Sequence, residues 1–171
     1  MMIRKVTDVQ HIVQTGVTNP RHAFPAIKTL AQSDEWVERE VAATALVEIS
    51  KKKPDEVVAE MLIWSKDPNP NVRRTASEGL RDVARKHAVQ VLPILENLKT
   101  DANLYVRKSV ANVLRNAGNY DPDFVLGSCS RWATLADANT NWIIKDALRK
   151  LKKTKPKEVD TILGSLRLSA I

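Results

Sequence analysis

Apolar residues along this chain recur four and eight positions apart, and the segments that carry this pattern repeat. Aligned at Val37, Val72, Val106 and Ile143, four stretches read VEREVAATALVE, VRRTASEGLRD, VRKSVANVLRN and IIKDALRKLKK, at spacings of 35, 34 and 37 residues. Each opens on an apolar residue, with a small apolar residue at offset four (Val41, Ala76, Val110, Ala147) and an apolar residue at offset eight (Ala45, Leu80, Leu114, Leu151). That is a helical period, not the alternation of a strand. A second set lies between them. Val57, Val91, Val125 and Val159 are evenly spaced, at the interval that separates Val72 from Val106, and Pro54, Pro122 and Pro156 each stand three places ahead of one of them. Pro20, the same interval before Pro54, carries the spacing toward the N-terminus. Proline there suits the first turn of a helix, where its missing N–H costs nothing.

The pattern predicts five helix pairs. First helices fall at about 3–16, 35–51, 70–86, 104–118 and 141–153, and second helices at about 20–31, 54–66, 88–99, 122–135 and 156–168. Cap-rich stretches at Asp67-Pro-Asn-Pro-Asn, Asp101-Ala-Asn and Asp137-Ala-Asn-Thr-Asn mark the entries to first helices. No helix of such a unit buries its apolar face alone, so neighbours must stack into one core. The expected fold is all-α: a right-handed α-solenoid of about five HEAT-like helix pairs, forming a single domain over 1–171. Trp64 and Trp132, seven places after register valines, are expected in the core. Trp36 and Trp142, beside first-helix starts like Tyr105, are expected to pack there, with a base-stacking surface as the alternative.

Composition narrows the function. The 171 residues carry 27 Lys+Arg against 20 Asp+Glu, a net charge of +7. Five glycines and no Asn-Gly or Asp-Gly turn leave little room for a sheet. No apolar run approaches the roughly 18 residues of a membrane span, and the N-terminus has no apolar stretch typical of a secretory signal. The single cysteine, Cys129, and the scattered His11, His22 and His87 offer no metal-ligand spacing. A cytoplasmic monomer with no metal and no cofactor is expected. There is no Gly-rich phosphate loop and no nucleophile motif, which leaves a conventional hydrolase as the weakest alternative.

The charge has a pattern. At about 100° per residue, offsets two, six, nine and ten lie on the side of each first helix away from offset zero. Offset two holds Arg39, Arg74, Lys108 and Lys145; offset six Ala43, Glu78, Asn112 and Arg149; offset nine Leu46, Arg81, Arg115 and Lys152; offset ten Val47, Asp82, Asn116 and Lys153. Stacking the repeats would align these rows into a basic stripe suited to the phosphates of a nucleic acid. Solvation of an exposed face is the plainer explanation of any one of them. An anionic membrane fits less well, since no helix offers the exposed apolar face it needs.

Glu78 interrupts the stripe as the one acidic residue at offset six, and Gly79 follows it. A glycine inside a helix costs about 1 kcal/mol relative to alanine, so something is expected to approach its backbone closely. Glu78 either pairs with Arg74 or Arg81, or serves as a carboxylate that opposes developing positive charge on a substrate.

Asn71-Val-Arg-Arg-Thr-Ala-Ser-Glu-Gly, Leu104-Tyr-Val-Arg-Lys-Ser-Val-Ala-Asn and Trp142-Ile-Ile-Lys-Asp-Ala-Leu-Arg-Lys-Leu together resemble the HEAT-like-repeat DNA alkylation repair glycosylases. This is the AlkC/AlkD group, and the AlkC branch is the nearer; the resemblance runs over roughly residues 35–165. It implies a helical-repeat groove that grips alkylated duplex DNA and excises cationic N3- or N7-alkylated bases. Such a base leaves without a general acid, so the protein must stabilise an oxocarbenium-like sugar and place a water. By position, Glu78 matches the family's Ser-Glu-Gly glutamate and Asn116 stands where the family carries an aspartate. Ala43 falls near the family's upstream glutamate. Arg74 and Lys108, with Arg115 and Lys145, would hold phosphates. With one acid of three present, a catalytically silent repeat module binding nucleic acid or an acidic protein is the alternative.

Overall fold

The computed structural model describes the backbone of residues 2–168 and the side chains of residues 9–166. All regular structure among them is helical: α1 (Met2–Thr18), α2 (Pro20–Gln32), α3 (Trp36–Ser50), α4 (Pro54–Trp64), α5 (Pro70–Glu78), α6 (Arg81–Lys86), α7 (Ala88–Leu98), α8 (Leu104–Ala117), α9 (Pro122–Ala133), α10 (Ala138–Ala147) and α11 (Pro156–Leu168), with a 3-10 turn at Leu151–Lys153. The all-α class and the five HEAT-like helix pairs are borne out. Prolines 20, 54, 122 and 156 each open a second helix.

The first helices start with a regularity that the apolar pattern blurred. Their N-caps are Glu35, Asn69, Asn103 and Asp137, which follow one another at a constant interval. Asn69 accepts from the Asn71 amide at 2.8 Å, Asn103 from the Tyr105 amide at 2.9 Å and Asp137 from the Thr140 amide at 2.7 Å. Each such cap is worth about 1 kcal/mol. The interval from Val72 to Val106 therefore holds throughout, which corrects the unequal spacings of the apolar alignment. The equivalents of Val72 and Val106 are Glu38 and Thr140, not Val37 and Ile143.

One arginine ties each of three turns to the helix that follows. Arg39 donates from Nη1 to the carbonyls of Ser33 (2.8 Å) and Asp34 (2.7 Å), Arg73 to those of Asp67 (2.9 Å) and Pro68 (3.0 Å), and Arg107 to those of Asp101 (3.0 Å) and Ala102 (2.7 Å). These carbonyls have no helical partner, and the guanidinium satisfies them.

Contacts sort the chain into two compact units that divide between Val83 and Ala84, inside α6. In the first unit α3 packs on α1, α2 and α5; in the second α8 packs on α10, and α9 on α11. Val57, Val91, Val125 and Val159 are fully buried, as are Trp64 and Trp132. The core prediction for those two tryptophans holds. Burying each valine removes a side chain worth about 1.5–3 kcal/mol from water. Trp36 differs: it is 65% exposed, as is Tyr105.

The helix expected over 70–86 is broken at Gly79 and Leu80 into α5 and α6. A Cβ added at Gly79 would sit 2.8 Å from the Cβ of Leu46 on α3. What approaches the Gly79 backbone is thus a neighbouring helix of the same unit, the close approach that the glycine predicted. Gly79→Ala should destabilise the protein by up to about 2 kcal/mol. The overlap with Leu46 costs about 1–3 kcal/mol, against about 1 kcal/mol gained in helix propensity. Urea unfolding read by circular dichroism would measure it, and an unchanged or raised midpoint would contradict it.

Candidate nucleic-acid interface

The exposed side of each first helix carries the candidate residues, and the two units are taken separately. In the first unit Arg74, on α5, is 24% exposed and donates to Glu40 on α3 at 3.1 Å. Glu78 closes α5 with its side chain 13% exposed. Arg81 donates from Nε to the Glu78 backbone carbonyl at 3.1 Å, while its distance to the Glu78 carboxylate is 3.7 Å. That is an ion pair but not a hydrogen bond. The Glu78 carboxylate accepts no hydrogen bond from the described residues. An incompletely satisfied, largely buried carboxylate beside arginines can oppose positive charge that develops next to it. Of the two pairings expected for Glu78, the one with Arg81 is formed, and it is long.

In the second unit α8 turns Val106 inward, fully buried, and presents Lys108, Asn112 and Arg115 on its other side. Lys108 is exposed, with its ammonium 5.5 Å from the Tyr105 ring centroid. Arg115 is 15% exposed and bonds Asp146 on α10 at 2.7 Å. Its other terminal nitrogen donates to Asn112 at 3.1 Å. Arg149, 66% exposed, forms an ion pair with the second Asp146 oxygen, 2.8 Å from its Nε. Lys152 pairs with Asp160 at 3.3 Å, and Lys145 is exposed. Asn116 is half-buried, and its amide makes no hydrogen bond among the described residues.

Several residues thus stand differently from their sequence placement. Arg39 belongs with Arg73 and Arg107 in the turn clamps, so its guanidinium is committed to backbone carbonyls. By the spacing of the caps, Lys145 is equivalent to Ala111, and Trp142 takes the place equivalent to Lys108. Trp142 lies half-buried, with the Arg107 guanidinium 5.7 Å from its ring centroid. The residue equivalent to Glu78 in the second repeat is Thr44 in place of Ala43, and in the fifth it is Asp146 in place of Arg149. Sequence reasoning missed Asp146, and the missed signal was its position two periods after Glu78.

Ionisation elsewhere is structural. Burial opposes the charge of Glu96, but hydrogen bonds from Lys99 and from the Trp132 indole at 2.7 Å outweigh it and hold its pKa below the ordinary value. Burial pushes the Cys129 thiol up to about 12, leaving it inert as a nucleophile. Among the described residues, no three His, Cys, Asp or Glu side chains gather to hold a metal ion, and no helix is long and apolar enough to cross a membrane.

Comparison with known proteins places these features. The family model for HEAT repeats matches residues 24–115. Uncharacterized protein YhaZ of Bacillus subtilis (strain 168) is 34% identical over 152 residues, covering 84% of this chain and 42% of that protein. The Pseudomonas fluorescens alkylpurine DNA glycosylase AlkC, solved bound to DNA containing an abasic site analog, superposes with a TM-score of 0.77 at 29% identity. That match covers 91% of this chain and 44% of AlkC. AlkD2 from Streptococcus mutans gives a TM-score of 0.67 at 27% identity over 77% of this chain and 67% of its own. The chain spans less than half the length of YhaZ and of AlkC. Repeats matched over more than half its length, and the shared fold of AlkC and AlkD2, establish that this chain belongs to the HEAT-repeat family.

Proposed function

We propose that this chain is a DNA alkylation repair protein. It holds alkylated duplex DNA by its phosphates and excises a cationic N3- or N7-alkylated base. The observation that carries the reading is Glu78, a largely buried carboxylate without a hydrogen-bond donor, set at the end of the helix that bears Arg74 and paired across the break with Arg81. The AlkC complex, a glycosylase on DNA with an abasic site analog, supports it. So do the Ser-Glu-Gly and Tyr-Val-Arg-Lys-Ser-Val-Ala-Asn motifs.

In this reading the cationic base departs as a neutral leaving group. Glu78, on the first unit, opposes the positive charge left on the sugar. Asn116, on the second unit, carries a side-chain amide able to hydrogen-bond water. Arg74, Arg81, Lys108, Arg115, Lys145, Arg149 and Lys152 contact phosphates, with Asn112 supporting Arg115. The protein works as a cytoplasmic monomer, with residues 1–171 as one repeat domain.

Release of methylated purine from alkylated duplex DNA tests the reading, and no release would remove the excision step. The replacement of the family's aspartate by Asn116 favours one second reading, a repeat module that binds DNA without cutting the glycosidic bond. Both readings require affinity that falls steeply with salt. Lys108→Ala should weaken binding uniformly across sequences and lower the slope of log K against log salt by about 1. A titration at several salt concentrations would show it, and an unchanged slope would take Lys108 out of the interface.

A further inference from the structure

We propose that Asp146 is a positioning residue that builds a seat for one backbone phosphate from Arg115 and Arg149. The inference rests on the DNA-binding reading above and adds to it the residue that shapes the contact.

The geometry is specific. One Asp146 carboxylate oxygen accepts from Arg115 Nη1 at 2.7 Å, and the other is ion-paired with Arg149, 2.8 Å from its Nε. The Asp146 backbone carbonyl also accepts from Arg115 at 3.2 Å and from Arg149 at 3.4 Å. Asn112 takes the remaining terminal nitrogen of Arg115 at 3.1 Å. Arg115, at 15% exposure, is thereby fixed in place. Arg149 is held only by the side of its guanidinium that carries Nε, at 66% exposure. Its two terminal nitrogens make no hydrogen bond among the described residues. A carboxylate that merely neutralised Arg149 would be expected to take the fork of its terminal nitrogens, the strongest arrangement for such a pair. Asp146 instead leaves the fork facing outward, where it matches two oxygens of a phosphate. The one carboxylate against two guanidiniums leaves the cluster positive.

The sign of one measurement decides the matter. Asp146 is acidic, so by charge alone its removal should strengthen binding to a polyanion. A positioning role predicts the reverse. Affinity of the full chain for a methylated duplex, measured by fluorescence anisotropy, is expected to fall about three- to tenfold in Asp146→Ala, with Asp146→Glu restoring part of it. Arg149→Ala should cost about fivefold or more in the natural chain and little in the Asp146→Ala background, because the two act as a unit. Asp146→Asn keeps the shape of the side chain and should lose affinity in the same direction, which preserves the test if the alanine variant unfolds. Unchanged or tighter binding by a folded Asp146 variant overturns the proposal, and so does an Arg149→Ala cost that is the same in both backgrounds. If the natural chain itself shows no affinity for DNA, the DNA-binding reading is what falls.

Discussion

Glu78→Gln is expected to cut release of a methylated purine by about a hundredfold or more while leaving DNA affinity within about threefold. The magnitude is that of removing one preorganised group aimed at charge that exists only in the transition state. Glutamine keeps the shape and one acceptor of the side chain but carries no charge, so stabilisation of a cationic sugar is the property lost. Binding should hold or tighten slightly, because an acid has been removed from a face rich in arginine. Single-turnover release from alkylated DNA, alongside a binding titration, separates the two effects. Equal release by the variant would show that Glu78 is only the ion-pair partner of Arg81, and a matched loss of affinity would mean that the change had disturbed α5.

The second large effect concerns stability. Trp132 on α9 is buried to 1% exposure, and its indole N–H donates to Glu96 on α7, a carboxylate that Lys99 also pairs with. Trp132→Ala should lower unfolding free energy by about 3–5 kcal/mol, the range for deleting a buried aromatic side chain. Set against the roughly 5–15 kcal/mol of a typical domain, that loss removes a large fraction of the stability. Trp132→Phe keeps most of the volume and removes the donor, and should cost about 1–2 kcal/mol. Equilibrium denaturation would rank the two. Similar losses for both would mean that the hydrogen bond, rather than the packing, carries the stability of that layer.

Most of the fold was legible because it repeats. A valine buried at even intervals and a proline at the head of second helices are strong signals, and the second-helix boundaries fall within two residues of where those signals put them. The errors share a physical origin. Thr140 and Ile143 are both fully buried, so apolar periodicity settled on the isoleucine and could not show that the threonine holds the register. Hydrogen bonding at Asp137 makes the choice. The equivalence of Val37 with Val72 is a one-residue slip of the same kind, and it puts Arg39 on the solvent face when its guanidinium spans a turn. The break after Glu78 was hidden because Gly79 has no side chain to advertise the helix it touches. Of the candidate site, the residue types were readable on one helix at a time. The bridge from Arg115 to Asp146 joins two different helices, a pairing that no local pattern encodes.

The arginine clamps make each turn a self-contained fitting. Arg39, Arg73 and Arg107 stand four places after the caps Glu35, Asn69 and Asn103 and reach back to carbonyls of the preceding turn, so much of each loop's shape is settled locally. Length changes are then tolerated only as whole cassettes. Deleting one residue between a cap and its arginine would both unfasten the turn and rotate the following helix by about 100° relative to its cap. Every side chain downstream on that helix would swing with it, so an error of a single codon far from Glu78 or Arg115 would be read out as a misdirected surface.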